Sequence, residues 1–326
     1  MRTEASRLPE EFLERLHSIF PVGRFDALVN TFTQSKPTTF RVNTLIGRRE
    51  EVLAQLKEAG FGLAPVSWFG EAFALRQGTL RELQEHALYR DGKIYVQNLS
   101  SMIPPLLLDP RAGEKILDLT AAPGSKTSEI VCLMGGQGEV MANDNNRTRF
   151  FKLLATLKNQ TCTTVQAVCH HGESMGRRFP AAFDRVLLDA PCSAEGRFRA
   201  NEPRSYRYWK VRKVDEMARK QRRLFAAAVG ALKPGGVLVY STCTFAPEEN
   251  EGVLSWAYEK FEGVLSASSV WQDWPPLRAL GNVARPLAGW EGKPFHRDTA
   301  LAARILPSES MEGFFVAKLR KKAAAA

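Results

Sequence analysis

Apolar residues fall in short bursts along the chain, and their spacing changes with position. From residue 111 onward, brief branched runs alternate with longer stretches of helical spacing. Ile116-Leu117, Val140-Met141-Ala142, Val186-Leu187-Leu188 and Val237-Leu238-Val239-Tyr240 each stop at a polar or turn residue. Such runs predict strands buried on both faces, as in a parallel sheet. Strands that alternate with helices predict a doubly wound, mostly parallel α/β fold. Before residue 100 the pattern differs. Residues 1–30 carry helical spacing, and Phe40-Arg41-Val42-Asn43 predicts a short strand. Residues 49–60 predict an amphipathic helix, and Glu71-Ala72-Phe73-Ala74-Leu75-Arg76 alternates like a half-buried strand. These pieces predict a small N-terminal α/β domain over 1–100, followed by a main domain over 101–326. Pro104, Pro105 and Pro110 punctuate the boundary. Residues 215–232 predict a helix that stops at Lys233-Pro234-Gly235-Gly236. Residues 265–310, with five prolines, read as loops.

Composition narrows the class. A hydrophobic fraction of 44% in 326 residues supports a sizeable core. No apolar run approaches the ~18 residues of a membrane span, and Met1-Arg2-Thr3-Glu4 has no signal-peptide shape. Five cysteines with no Cys-x-x-Cys pair argue against a disulfide framework or a zinc site. A cytoplasmic, membrane-free and metal-free monomer is expected.

The net charge is +10, and it is unevenly placed. Residues 197–223 hold eleven Lys and Arg against three acids, whereas residues 1–100 hold 13 basic and 12 acidic side chains. Phe198, Tyr206, Tyr208 and Trp209 are interleaved with the basic run. Cations attract phosphates and aromatic faces stack on unpaired bases. Arg197, Arg199, Arg204, Arg207, Tyr208, Trp209 and Lys210 are therefore the candidate nucleic-acid contacts. The competing reading is a solvated helix face whose aromatics turn to the core; it has equal standing from Asp215 onward.

Two cysteines carry the candidate chemistry. Cys192 follows Phe183-Asp184-Arg185-Val186-Leu187-Leu188-Asp189-Ala190-Pro191, and Cys243 follows Val237-Leu238-Val239-Tyr240-Ser241-Thr242. Ligands of open α/β sheets bind outside the carboxyl ends of strands, and a thiolate there is a strong nucleophile. The bland alternative is a pair of buried thiols acting as small hydrophobes. Upstream, Ile116-Leu117-Asp118-Leu119-Thr120-Ala121-Ala122-Pro123-Gly124-Ser125-Lys126-Thr127 predicts a strand, a tight turn and a helix start. Small residues admit a ligand close to the backbone, and the helix start offers free N–H groups. The spacing matches neither a Walker loop nor a dinucleotide fingerprint. Glu139-Val140-Met141-Ala142-Asn143-Asp144 predicts a second strand ending in an acid suited to ribose hydroxyls.

Together these stretches resemble the Sun-type family of S-adenosylmethionine-dependent RNA 5-methylcytosine methyltransferases. The resemblance rests on Ala121-Ala122-Pro123-Gly124-Ser125-Lys126-Thr127, Asp189-Ala190-Pro191-Cys192-Ser193, Tyr240-Ser241-Thr242-Cys243-Thr244 and Glu248-Glu249-Asn250-Glu251. Arg41-Val42-Asn43, Val96-Gln97-Asn98-Leu99-Ser100-Ser101 and Glu312-Gly313-Phe314-Phe315-Val316-Ala317 match more weakly. The nearest likeness is to the bacterial branch acting on small-subunit ribosomal RNA, without the C-terminal RNA-binding domain that some members carry. The resemblance implies a class I methyltransferase fold, S-adenosyl-L-methionine as cofactor, and a small RNA-binding fold at the N-terminus. It implies Cys243 as the nucleophile on cytosine C6, Cys192 as the residue assisting release, and Asp189 hydrogen-bonded near N3 of the base. Lys126 would stabilise charge on the base, or is an exposed lysine at a helix start. Ala121, Ala122, Pro123, Gly124, Ser125, Lys126, Thr127, Asp144, Arg149, His171 and Asp189 are the implied cofactor residues. Ribosomal RNA is the expected substrate and tRNA the alternative.

One position departs from the family pattern. The third strand should end in Asp-Gly or Asp-Ala, but Cys169-His170-His171-Gly172 puts His171 there. His171 cannot act as an anionic acceptor for an adenine amine. Metal ligation by His170 and His171 is not expected, because adjacent strand residues face opposite ways. A DNA cytosine methyltransferase would use the cysteine after Pro191 and needs a Glu-Asn-Val motif, which is missing. A non-catalytic RNA-binding assembly factor would have lost Cys243 or the glycine turn, and both are intact.

Overall fold

The computed structural model describes residues 7–20 and 22–323. It divides into two compact units. The first comprises Pro37–Asp189 and Ala227–Leu238; the second comprises the chain up to Lys36, Ala190–Ala226 and the chain from Val239 onward.

The first unit contains the parallel strands expected from the apolar runs. Their order is Phe183–Asp189, Lys115–Asp118, Glu139–Asn143, Val165–Val168, and strand Leu232–Thr242, next to Phe183–Asp189 in the sheet, belongs to this unit up to Leu238. Ile116 lies beside Val140 on one side and Arg185 on the other, both in parallel register. Helices Ser125–Leu133 and Arg147–Asn159 connect successive strands, which is the doubly wound pattern. Asp118, Asn143 and Asp189 thus end neighbouring strands on one edge. The same unit carries a four-stranded antiparallel sheet ordered Gly62–Pro65, Ala72–Gln77, Thr39–Val42, Ile94–Val96. Phe40, Val42, Leu56, Phe73, Leu83 and Ile94 form its separate core. Pro104 and Pro105 sit inside a helix, Leu99–Leu108, rather than in a linker. Asn98 caps that helix by accepting from the Ser100 N–H at 2.9 Å. Met102, Ile103, Leu107 and Leu108 are fully buried along it. Burial and the cap outweigh the two backbone donors that the prolines remove.

In the second unit, Phe12 of helix Glu10–Ile19 meets Phe32, Phe198 and Trp209 edge-on, with ring centroids 5.8, 4.8 and 5.6 Å away. The long helix runs Val211–Ala231, starting four residues before the expected Asp215. The proline-rich stretch after residue 265 is not all loop. Leu265–Ser268, Val283–Ala284 and Ala303–Ile305 are strands. Leu265–Ser268 and Ala303–Ile305 both pair antiparallel with Phe314–Lys321. Pairing with a long partner holds strands too short to show periodicity. No helix among the described residues is long and apolar enough to cross a membrane.

Candidate active site

In the first unit the turn after Asp118 is shaped by its small residues. Gly124 has φ +107°, and a Cβ there would press on Leu153 and Thr156 at 3.0–3.2 Å. Gly124 caps helix Ser125–Leu133, so the free N–H groups of that helix open onto the turn. Thr127 Oγ1 donates to Asp118 Oδ2 at 2.7 Å. Asp118 Oδ1 is buried without a hydrogen bond among the described residues. Burial pushes the Asp118 carboxyl up to about 7, against the pull of Thr127 and Lys126. Arg149 ties the turn to the next strand. Its Nη2 donates to Ala122 O and lies 3.5 Å from Asp144 Oδ2. Asp144 is buried, and its Oδ1 accepts from the Asn146 N–H at 2.9 Å.

Lys126 is not an exposed helix-start lysine. It is 8% exposed, and its Nζ donates to Asp189 Oδ2 at 2.6 Å and to Ser101 Oγ at 2.8 Å. Asp189 is thereby oriented at the end of its strand. His171 lines a cleft of about 360 Å³ with Asn145, Cys169, His170, Glu173 and Arg177. Asn145 directly follows Asp144, so the cleft borders the acid that ends the second strand.

The sequence reading missed a buried polar chain behind the turn. Arg41, 1% exposed, donates from Nε to Gln97 Oε1 at 2.9 Å and from Nη2 to Ser128 Oγ at 2.7 Å. Gln97 Nε2 donates to Glu129 Oε2 at 2.6 Å. Burial pushes Glu129 up to about 8, against the opposing pull of Arg41. Arg41, Gln97 and Ser101 come from two of the three weakly matching stretches, which were the signal available. Their side chains grip the helix that starts at the turn.

The second unit holds both thiols. Cys192 Sγ and Cys243 Sγ lie 3.4 Å apart, half-buried and not joined by a disulfide. The hydrogen bond between them, and then burial, raises the Cys192 thiol well above its ordinary range. Each thiol loop is held by a buried glutamate of the other. Glu249 accepts from the Ser193 N–H at 3.0 Å. Glu195 accepts from Thr244 Oγ1 at 2.9 Å and from the Phe245 N–H at 3.1 Å. Thr244 spends its only proton on Glu195, so Ser193 Oγ is the donor in the 2.7 Å contact between the two hydroxyls. The Gly196 N–H donates to Cys243 O at 2.9 Å, and the Gly313 N–H to Gly196 O at 3.1 Å. A Cβ on Gly313 would meet the Phe245 ring at 2.2 Å, which accounts for glycine in the Glu312-Gly313-Phe314 stretch.

The basic segment is mixed. Arg204, Arg207, Tyr208 and Lys210 are exposed, Tyr208 at 75%. The Arg207 guanidinium lies 4.4 Å from the Tyr208 ring centre. Arg197 and Arg199 both approach Glu312, at 3.4 and 3.6 Å. Trp209 corrects the expectation of a stacking aromatic: it is buried against Phe12 and Phe198, and its Nε1 donates to Glu195 at 2.9 Å. Two large rings needed a core, and an indole N–H needed an acceptor. Among the described residues no group of three or more His, Cys, Asp or Glu side chains could hold a metal ion.

The family model described as 16S rRNA methyltransferase RsmB/F matches residues 105–320. The chain belongs to this family of RNA methyltransferases. A second model, the N-terminal domain of 16S rRNA methyltransferase RsmF, matches residues 8–99. The chain is 37% identical over 324 residues to the tRNA (cytosine(49)-C(5))-methyltransferase of Pyrococcus abyssi, covering 98% of each. It is 35% identical over 320 residues to the ribosomal RNA small subunit methyltransferase F of Aeromonas hydrophila, and spans 64% of that relative's length. Among solved structures, a methyltransferase homolog from Pyrococcus horikoshii superposes with a TM-score of 0.82 at 29% identity, over 98% and 99% of the two chains. NSun6 from the same organism shares the fold at 22% identity and a TM-score of 0.78. This RsmB/F-family chain therefore shares its architecture with that methyltransferase homolog over 98% of its length.

Proposed function

We propose that this RsmB/F-family chain transfers a methyl group from S-adenosylmethionine to C5 of a cytosine in RNA, through a covalent adduct on Cys243. The observation that carries this reading is the pair of thiols 3.4 Å apart, not joined by a disulfide, on loops that follow strand ends.

The first unit fits the cofactor. Asp118 Oδ1 is a buried acceptor without a partner among the described residues, suited to the ammonium of the amino-acid moiety. The turn at Ala121, Ala122, Pro123 and Gly124 admits a ligand next to the free N–H groups of Ser125, Lys126 and Thr127. Asp144 keeps acceptor capacity for ribose hydroxyls, since a carboxylate has about four lone-pair sites. When bound, the cofactor would supply an electrophilic methyl on a sulfonium. His171 offers a ring nitrogen where the family offers a carboxylate.

Cytosine C5 is a weak nucleophile. The Cys243 thiolate adds to C6, and the C5–C6 double-bond pair becomes available at C5. Asp189, held by Lys126, hydrogen-bonds the base near N3. Release needs the C5 proton to leave, and Cys192 as its thiolate accepts it. The C–H pair re-forms the C5–C6 double bond and Cys243 departs as thiolate. The hydrogen bond to Cys243, and then burial, hold the proton on Cys192 before attack. The hydrogen bond is lost once Cys243 is bonded to C6, which eases ionisation of Cys192 for the release step. The target base must be unstacked to reach this centre, so the segment methylated is single-stranded or flipped.

Ribosomal RNA is the substrate favoured by the two matching family models. The tRNA reading is favoured by the 37% identity to a tRNA methyltransferase along both chains. Transfer of labelled methyl to purified ribosomal RNA, tRNA and DNA, with bisulfite sequencing of RNA from cells with and without the gene, tests the reading. Label in the DNA alone, or in nothing, would contradict it.

A further inference from the structure

The run Glu248-Glu249-Asn250-Glu251 is left without a task by the reaction above. Its outer members are engaged in ion pairs: Glu248 with Arg15 at 2.7 Å and Glu251 with Arg304 at 2.5 Å. Its inner members face the thiols. Both are fully buried. Glu249 accepts from the Ser193 N–H at 3.0 Å and from Gln221 Nε2 at 2.7 Å. The same Gln221 nitrogen donates to Pro191 O at 2.9 Å. The residues on both sides of Cys192 are therefore held by one carboxylate and its amide partner. Asn250 does the same for the other thiol. Its Oδ1 accepts from Thr242 Oγ1 at 2.6 Å and its Nδ2 donates to Thr244 O at 3.0 Å. Those are the two neighbours of Cys243.

We propose that Glu249 and Asn250 are the positioning residues of the two-thiol centre: adjacent in the chain, each grips one thiol loop on both sides of its cysteine, and the single peptide step between them fixes the separation of the sulfurs. Adjacent Cα atoms are held about 3.8 Å apart by covalent geometry, so the two grips cannot drift independently. The arrangement is costly as mere filling. Burial, and then the nearby Glu195, pushes Glu249 up to about 8, and Gln221 Oε1 is buried without a hydrogen bond among the described residues. An apolar side chain would fill the same space without either penalty.

The inference rests on the roles given above to Cys243 and Cys192. The test follows the protein–RNA adduct in single turnover with saturating S-adenosylmethionine, on denaturing gels, in the full chain. Glu249→Ala should form the adduct but release it roughly a hundredfold more slowly, the cost of misplacing a reacting group by about 1 Å. Asn250→Ala should instead slow adduct formation. Cofactor affinity, read by calorimetry, should stay unchanged in both. Glu249→Leu fills the space but accepts no hydrogen bond, and reads the same way if alanine lowers the yield of folded protein. Formation and release falling together, in step with the melting temperature, would overturn the proposal. Cys192→Ala is the reference. Adduct accumulating in Cys192→Ala but not in the Glu249 variants sinks this inference alone. No adduct in Cys192→Ala removes the two-thiol reading and the inference with it.

Discussion

At the scale of single residues, the two acids facing the turn differ in what they offer. Asp118 presents an oxygen without a hydrogen bond among the described residues, whereas Asp144 already accepts from a backbone N–H and stands near Arg149. Asp144→Ala should still weaken S-adenosylmethionine by about 1.5–3 kcal/mol, the range for a hydrogen bond to a charged group. His171→Asp should keep or improve the affinity, because it restores the family's acceptor at the cleft with Asn145. Calorimetric titration of both variants checks this, and an unchanged affinity in Asp144→Ala would take that residue out of the site. That Cys192, Cys243, Asp189 and the glycine turn follow strand ends was legible in the sequence; the roles proposed for them came from the family resemblance. Glu249 and Asn250 were visible only as a matching run. Their partners, Ser193, Gln221, Thr242 and Thr244, are brought near by tertiary folding, which no local spacing encodes.

At the scale of elements, segment 197–213 shows why charge is easier to read than burial. Its cations stand in sequence whichever way they point, but an interleaved ring turns inward or outward according to what packs beneath it. Trp209 found Phe12, Phe198 and Glu195, while Tyr208 stayed in solvent. Replacing Arg204, Arg207 and Lys210 together by alanine should weaken RNA binding and flatten its salt slope by up to about 2, at roughly 0.7 for each phosphate no longer neutralised. Arg197 and Arg199 should contribute less to the slope, since Glu312 offsets them. Tyr208→Ala should cost ~1–3 kcal/mol of RNA affinity with the slope kept. Trp209→Ala should lower stability by about 3–5 kcal/mol, as for a large buried aromatic. Binding isotherms at several salt concentrations, with a melt of each variant, separate these effects. The prolines at 104 and 105 teach the same lesson: a local breaker is overridden where the helix around it is buried.

At the scale of the whole molecule, three buried carboxylates set a pH dependence. Asp118 is raised to about 7, and Glu129 and Glu249 to about 8, each chiefly by burial. A carboxyl raised above its unfolded value holds a proton in the folded state that the unfolded chain has released. The associated stability is complete below the ordinary carboxylate range near pH ~4. It is lost as pH rises through 7 to 8 for these groups. The melting temperature should therefore fall from pH 6 to pH 9, and Glu129→Gln should reduce that fall. A melting temperature that climbs across this window would show that the groups ionise freely in the folded chain. The parallel sheet and the strand-end thiols were readable because apolar runs and their stops are local. The assignment of the chain up to Lys36 to the same unit as both thiols was not, because it depends on which distant aromatics Phe12 meets.

The central claim is that the two thiols divide attack and release between them. It is tested most directly by incubating the wild type, Cys243→Ala and Cys192→Ala with substrate RNA and S-adenosylmethionine, and resolving the products on a denaturing gel. The account predicts a protein–RNA band that accumulates in Cys192→Ala and is absent in Cys243→Ala. A band in Cys243→Ala with none in Cys192→Ala would contradict it.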